Sequence, residues 1–465
     1  MPRYKIRGLT AANSAYSPRS RGCRIPIALA ALILGSPAWD ATPISDVDHP
    51  APFDYGFGLV VRVPSGSISA WNKMLDLFSL RRETPFQTQA DIGRLPHALV
   101  APPTAGPPDA AQTGMSGSVL PWPIIPLHMA LLPNGQVMTY GTDQNGKQGT
   151  AFYFDVWDPT QPYETSQTVL ANTTGTDIFC SGMGLLTNGS LLITGGDLTI
   201  NGKRNYSNAQ VNLYAPGAAA LTPNGVMNYP RWYPADVPLS NGDQMIVGGR
   251  SNQDPTVPVT TPEYYSVADN TFTPLTGAQE STNLSWFYPR VFVDSTGAID
   301  LFDASGRIAV LSAAGSGSIA ESTLKLQRGL DNLPTVMYAP GQILSLRNAP
   351  TAGADGYTYP VQVINVAGPR TIEAAPAAPG PGRQWANLTV LADGTLLLNG
   401  GSSPANQLQN FSTTSYLFSP ANQVWTPAAT AAEPRLCHSA ALLLPDGTAL
   451  TGGGGAPGPV NELNA

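Results

Sequence analysis

One unit recurs seven times in this chain: an apolar run, a tight turn ending in glycine, and a second apolar run that in four copies closes on Gly-Gly. The last copy, Pro434 to Gly455, reads PRLCHSAALLLPDGTALTGGGG and carries a Cys437-His438 pair ahead of its first apolar run. The turn glycines are Gly135, Gly189, Gly242, Gly297, Gly341, Gly394 and Gly447, spaced by 54, 53, 55, 44, 53 and 53 residues. Asn-Gly or Asp-Gly between apolar runs is a strong local signal for a β-hairpin. A hairpin this small cannot bury its own faces, so the copies must stack on one another.

A period near ~50 with a strand–turn–strand–Gly-Gly core is the pattern of kelch-type propellers. A second signature follows the hairpin in several copies: Asp155-Val156-Trp157-Asp158-Pro159, Val211-Asn212-Leu213-Tyr214, Glu263-Tyr264-Tyr265 and Ser415-Tyr416-Leu417-Phe418. These read as outer strands whose aromatics pack between neighbouring blades. The expected fold is therefore all-β, a seven-bladed kelch-type β-propeller over residues 115–465. The seventh blade is expected to be incomplete, with inner strands at Ala440–Leu444 and Thr448–Thr451 and too little chain after them for a third. The segment from Ser116 to Pro121 is the alternative means of closing the ring. Thr351 to Gly382, rich in Ala, Pro and Gly, reads as an exposed loop.

Counting nine residues back from each turn glycine reaches Pro126, Cys180, Tyr233, Tyr288, Asn332, Trp385 and His438. In a propeller, equivalent positions converge on one end of the central axis. A cysteine, two tyrosines, a tryptophan and a histidine then face one another across a funnel. The bland account is that aromatics simply fill the channel. The fifth copy is shorter, so Asn332 is the least securely placed member. His128 lies two residues past the ring position of its blade and is not expected among the ligands; His49 and His97 read as surface residues.

The chain carries 24 basic and 31 acidic residues for a net charge of −7, and Arg3, Lys5, Arg7, Arg19, Arg21 and Arg24 all precede Ile25. The remainder is thus more acidic still, which argues against nucleic acid and anionic membranes as partners. That basic stretch, the apolar run Ile25 to Gly35 and the small residues Ser36-Pro37-Ala38 read as an export signal over 1–38. An uncleaved anchor is the runner-up. Residues 39–114 form an irregular extension and linker, with one short amphipathic stretch from Ser69 to Arg82. Secretion or a periplasmic location follows, with no membrane contact beyond the signal. Once the signal is removed, only Cys180 and Cys437 remain of three cysteines. A disulfide between them is one reading, opposed by their placement in blades that do not touch.

Three motifs at these positions, Thr176-Asp177-Ile178-Phe179-Cys180, Pro230-Arg231-Trp232-Tyr233 and Arg435-Leu436-Cys437-His438-Ser439, resemble successive motifs of the galactose oxidase and glyoxal oxidase family. The resemblance runs from about Trp122 to the last residue. It implies a mononuclear Cu(II)-radical oxidase acting on small primary alcohols, aldehydes or carbohydrates, with dioxygen reduced to hydrogen peroxide. It also implies a thioether joining Cys180 to Tyr233, with Tyr233 as copper ligand and radical carrier and His438 as a second ligand. Imidazole and phenolate suit Cu(II). The family has tyrosine where this chain has Cys437, as an axial ligand and substrate base. It also has a C-terminal sandwich domain supplying another histidine, which is not found here. The catalytic set carried over is Cys180, Tyr233 and Cys437, with Tyr233 and His438 on the metal. Intact Cys180 and Tyr233 favour an oxidase. Cys437 favours a catalytically silent secreted propeller that binds carbohydrate or protein.

Overall fold

The computed structural model describes residues 108–148, 152–251, 257–280, 287–330, 332–350, 357–402, 406–408, 410–455 and 464–465. The export signal and the stretch from Ser69 to Arg82 lie outside the described residues. The described chain is all-β apart from two single-turn helices and a 3-10 turn. None of its helices is long and apolar enough to cross a membrane.

All seven predicted hairpins are present, each antiparallel about its glycine turn. They pair His128–Leu131 with Val137–Tyr140, Gly182–Leu185 with Leu191–Thr194, and the end of Thr222–Pro238 with Gln244–Arg250. Arg290–Val293 pairs with Ile299–Phe302, Thr335–Ala339 with Gln342–Leu346, Asn387–Val390 with Leu396–Asn399, and Ser439–Leu443 with Ala449–Gly453. The seven turn glycines have φ between 70° and 90°, where a side chain is disfavoured. Around the first, fourth, fifth and sixth hairpins two further strands complete four-stranded antiparallel sheets. The aromatic signatures fall on the third strands, as expected: Tyr153–Trp157 and Thr414–Ser419 are examples.

Two features depart from the sequence expectation. The second and third repeats share one eight-stranded sheet, because the 17-residue strand Thr222–Pro238 serves both. Its early residues pair with Lys203–Tyr214 through two register shifts, and its later residues pair with Gln244–Arg250. The stretch Thr351 to Gly382 is not simply a loop. Val361–Asn365 and Thr371–Ala375 are the outer strands of the fifth sheet. Val361 packs with Leu344 and Leu346 on one face and Ile364 with Ile343 on the other, a strand buried on both faces that the Ala, Pro and Gly around it conceal in sequence.

The core lies between repeats. Met138, Tyr140 and Phe154 of the first meet Ile178, Leu191 and Ile193 of the second. Val237, Met245 and Val247 of the third meet Ile299, Leu301 and Ala309 of the fourth. Met129 and Val137 of the first pack with Leu444 and Leu450 of the seventh, so the first and last repeats meet in one propeller-like arrangement. The seventh repeat has its two expected strands, and Leu120, in the segment named as the alternative closure, exchanges backbone hydrogen bonds of 2.8 and 2.9 Å with Ala465, beside a Pro121–Asn464 bridge.

Buried arginines brace the hairpins to the loops leading into them. Arg231 donates to the carbonyls of Gly248 and Thr261, each at 2.6 Å, and pairs with Glu263 at 3.1 Å, with both side chains fully buried. Arg383 reaches the Gly400 carbonyl at 2.8 Å, and Arg435 reaches that of Gly453 at 3.2 Å. Replacing one member of a buried pair leaves the other charge uncompensated, at a cost of about 3–5 kcal/mol. Arg231→Met is expected to lose about that much stability in denaturant titration, and Arg231→Met/Glu263→Gln is expected to lose less.

Candidate active site at the channel mouth

The ring residues share a backbone feature that sequence offset alone does not reveal. Cys180, Tyr233, Tyr288, Trp385 and His438 have φ of 56°, 62°, 42°, 60° and 66°. Left-handed backbone is uncommon for such bulky residues and costs of order 1–3 kcal/mol each, and it clusters at functional sites. Pro126 and Asn332 do not share it; the proline ring forbids it at the first. Backbone hydrogen bonds tie consecutive members together. The Tyr233 amide donates to the Cys180 carbonyl (2.9 Å), the Tyr288 amide to Tyr233 (3.0 Å) and the Trp385 amide to Asn332 (2.8 Å).

Four of the predicted residues gather at one point. The Tyr233 hydroxyl lies 3.1 Å from His438 Nε2, joining the third and seventh repeats across the axis. His438 Nδ1 is 2.6 Å from the Gly455 carbonyl, which can only accept, so Nδ1 carries the proton and Nε2 presents its lone pair to Tyr233. The buried Cys180 lies beside Tyr233, whose amide bonds the Cys180 carbonyl, and the two side chains shift each other's acidity. Tyr288 meets Tyr233 edge-on at 4.8 Å. Trp385 is braced through the Asn332 backbone.

The aromatic surroundings were not all anticipated. Phe287 stacks on the Tyr233 ring at 4.4 Å and 22°, Trp232 abuts its edge at 4.4 Å, and Phe179 meets His438 at 5.5 Å. Phe179 and Trp232 adjoin ring residues in the quoted motifs. Phe287 precedes Tyr288, and adjacency to a ring position is the signal that would have found it. His128 stacks on Tyr140 at 4.5 Å, and the Tyr140 hydroxyl sits 2.9 Å from Ser181 Oγ. His128 thus occupies the wall between the first and second repeats.

Burial governs the electrostatics. It raises Tyr233 and Cys180 well above their ordinary values, with each also raised by the charged groups around it. It pushes Cys437 up to about 12. It lowers His438, against the opposing pull of the Gly455 carbonyl, and takes His128 down to about 3, with His438 as a smaller contributor. The site at neutral pH therefore holds neutral imidazole, phenol and thiols. Cys180 and Cys437 are both free, so the disulfide reading fails. The Cys437 amide donates to Asn406 Oδ1 at 3.0 Å.

Two donors of the kind Cu(II) prefers, one phenol oxygen and one imidazole nitrogen with an available lone pair, face each other closely enough to share an ion. To that extent the residues fit copper. Among the described residues no group of three or more His, Cys, Asp or Glu converges as a metal cage.

A raised folded-state pKa at Tyr233 means that its contribution to stability is complete below the ordinary phenol value of about 10 and is lost as pH rises above it. Ultraviolet difference titration of the metal-free protein against Tyr233→Phe is expected to show no Tyr233 phenolate at about pH 10, and to show it once the chain is unfolded.

No family model matches the chain. Two curated galactose oxidase sequences from Gibberella zeae are each 25% identical to it over 382 residues. That alignment covers 75% of this chain and 54% of theirs, so the chain spans about half the length of the curated relatives it matches. Among solved structures, a fungal alcohol oxidase of the AA5 family in complex with copper superposes with a TM-score of 0.62 at 20% identity. It covers 75% of this chain and 74% of that one, a likeness of fold.

Proposed function

We propose that this galactose oxidase-like chain is the propeller of an exported copper-radical oxidase, acting on small primary alcohols or aldehydes with dioxygen as electron acceptor. In this reading the propeller has seven kelch-type blades, the shared sheet counting as two, and residues 1–38 direct export to the periplasm or beyond. The observation that carries the reading is the Tyr233 hydroxyl at 3.1 Å from His438 Nε2, with buried Cys180 tied to the same tyrosine by a 2.9 Å backbone hydrogen bond. A scaffold has no need of that trio.

Tyr233 and His438 would hold the copper, which when bound supplies one oxidising equivalent beside a redox-active phenol. The protein's own contribution is positional. Gly455 fixes the imidazole tautomer, a common device for orienting a ligating histidine. Phe287 and Trp232 shield the Tyr233 ring from water. Joining Cys180 to the Tyr233 ring removes the thiol hydrogen and one ring hydrogen, forms one S–C bond, and passes two electrons to dioxygen.

One observation favours the silent-propeller alternative. Cys437 stands where the resemblance calls for a tyrosine base, and burial keeps it a protonated thiol near 12. A base works best with a pKa near the operating pH. The two readings separate in one experiment. Aerobic copper loading is expected to lower the intact mass by two hydrogen atoms, with the change mapped to the Cys180 and Tyr233 peptides and absent in Cys180→Ser. A peroxidase-coupled assay is expected to give no peroxide above background from the chain as it stands. An unchanged mass would leave the silent propeller as the better account, and robust peroxide would show that Cys437 serves in the tyrosine's place.

A further inference from the structure

Tyr288 belongs to the fourth repeat, yet it contacts Tyr233 and the residue that follows Cys180, at the pair on which the proposed function rests. Its amide donates to the Tyr233 carbonyl at 3.0 Å, while its hydroxyl donates to the carbonyl of Ser181, the residue after Cys180, at 3.2 Å. Its ring meets the Tyr233 ring edge-on at 4.8 Å. Tyr288 is itself anchored, because Arg290 donates from Nη1 to the Tyr288 carbonyl at 2.7 Å and from Nη2 to Leu333 of the fifth repeat at 3.2 Å. Ser181 is fixed in turn by Tyr140 of the first repeat, at 2.9 Å from its hydroxyl. One half-buried side chain therefore links the peptides next to Cys180 and at Tyr233 to the rest of the ring.

Such a link has a physical purpose. Cys180, Tyr233 and Tyr288 all hold left-handed backbone, a conformation that persists only where surrounding contacts over-determine it. We infer that Tyr288 is a positioning residue that clamps the Cys180 thiol against Tyr233, and that its hydroxyl, rather than its ring, sets their register. The inference presumes that Cys180 and Tyr233 form the reactive pair. It assigns Tyr288 no contact with substrate.

The test uses the full chain stripped of metal, with iodoacetamide alkylation of Cys180 and Cys437 followed separately by peptide mass mapping. Tyr288→Phe keeps the amide and the ring and removes one hydrogen bond. It is expected to speed alkylation of Cys180 about fivefold and leave Cys437 unchanged. Arg290→Lys, which loosens the anchor of Tyr288, is expected to act in the same direction. An unchanged Cys180 rate in both variants would overturn the clamp, as would a parallel rise at Cys437, which marks general loosening. A second arm follows the loss of two hydrogens on aerobic copper loading, expected to be about fivefold slower in Tyr288→Phe than in the unaltered chain. If the unaltered chain shows no such loss, the oxidase reading fails, while the metal-free alkylation still decides the role of Tyr288.

Discussion

Tyr233 and His438 lie 205 residues apart and meet because the seventh repeat packs on the first. No repeat can bury both faces alone, so apolar contact with the next repeat is what makes each one stable. At about 1.5–3 kcal/mol per fully buried large aliphatic side chain, Met129, Val137, Leu444 and Leu450 contribute several kcal/mol to that last interface. The backbone exchange between Leu120 and Ala465 adds direction to it. The same contact that completes the core therefore carries His438 to within reach of Tyr233.

Closure alone does not aim the side chains. The left-handed turn at Cys180, Tyr233, Tyr288, Trp385 and His438 marks where the chain enters each innermost strand. An unfavourable φ is tolerated because neighbouring ring members share backbone hydrogen bonds and because buried arginines hold the loops before them. Arg231 and Arg383 each precede their ring residue by two positions and reach a glycine carbonyl on or just past the following strand. The strain and its support thus belong to the repeat, whereas the identity of the ring residue is free to vary. That separation lets one blade present a tryptophan and another a histidine from the same backbone.

Much of this was legible in the sequence, for a specific reason. Turn glycines need positive φ and are invariant in position within a repeat, so counting from them located the hairpins and four members of the cluster. The outer strands Val361–Asn365 and Thr371–Ala375 were missed because no aromatic signature marks them and the Ala, Pro and Gly around them, Gly368-Pro369 included, read as loop. The merged sheet of the second and third repeats was missed because the strand Thr222–Pro238 carries Pro223, Pro230 and Pro234, which read as breaks. Register shifts against Lys203–Tyr214 accommodate that irregular strand. Phe287 stacking and the Gly455 carbonyl are tertiary relations between residues that share no period.

Cys437 is where the chain and its resemblance part most sharply, and the reason is electrostatic. A ligand or base must give up its proton, yet burial lifts this thiol from 9 to about 12. At neutral pH the thiol stays protonated, and ionising it costs more than it would in water. A phenol and an imidazole nearby do not offset this, because both are neutral in the same apolar enclosure. Binding a cation is the one change that would reverse the balance, since a metal favours the thiolate and lowers its pKa. The thiol's behaviour therefore depends on whether Tyr233 and His438 hold a metal first. In the proposed reading His438, oriented by Gly455, and Tyr233, flanked by Tyr288, would be the first ligands, and any chemistry at Cys437 would rest on them.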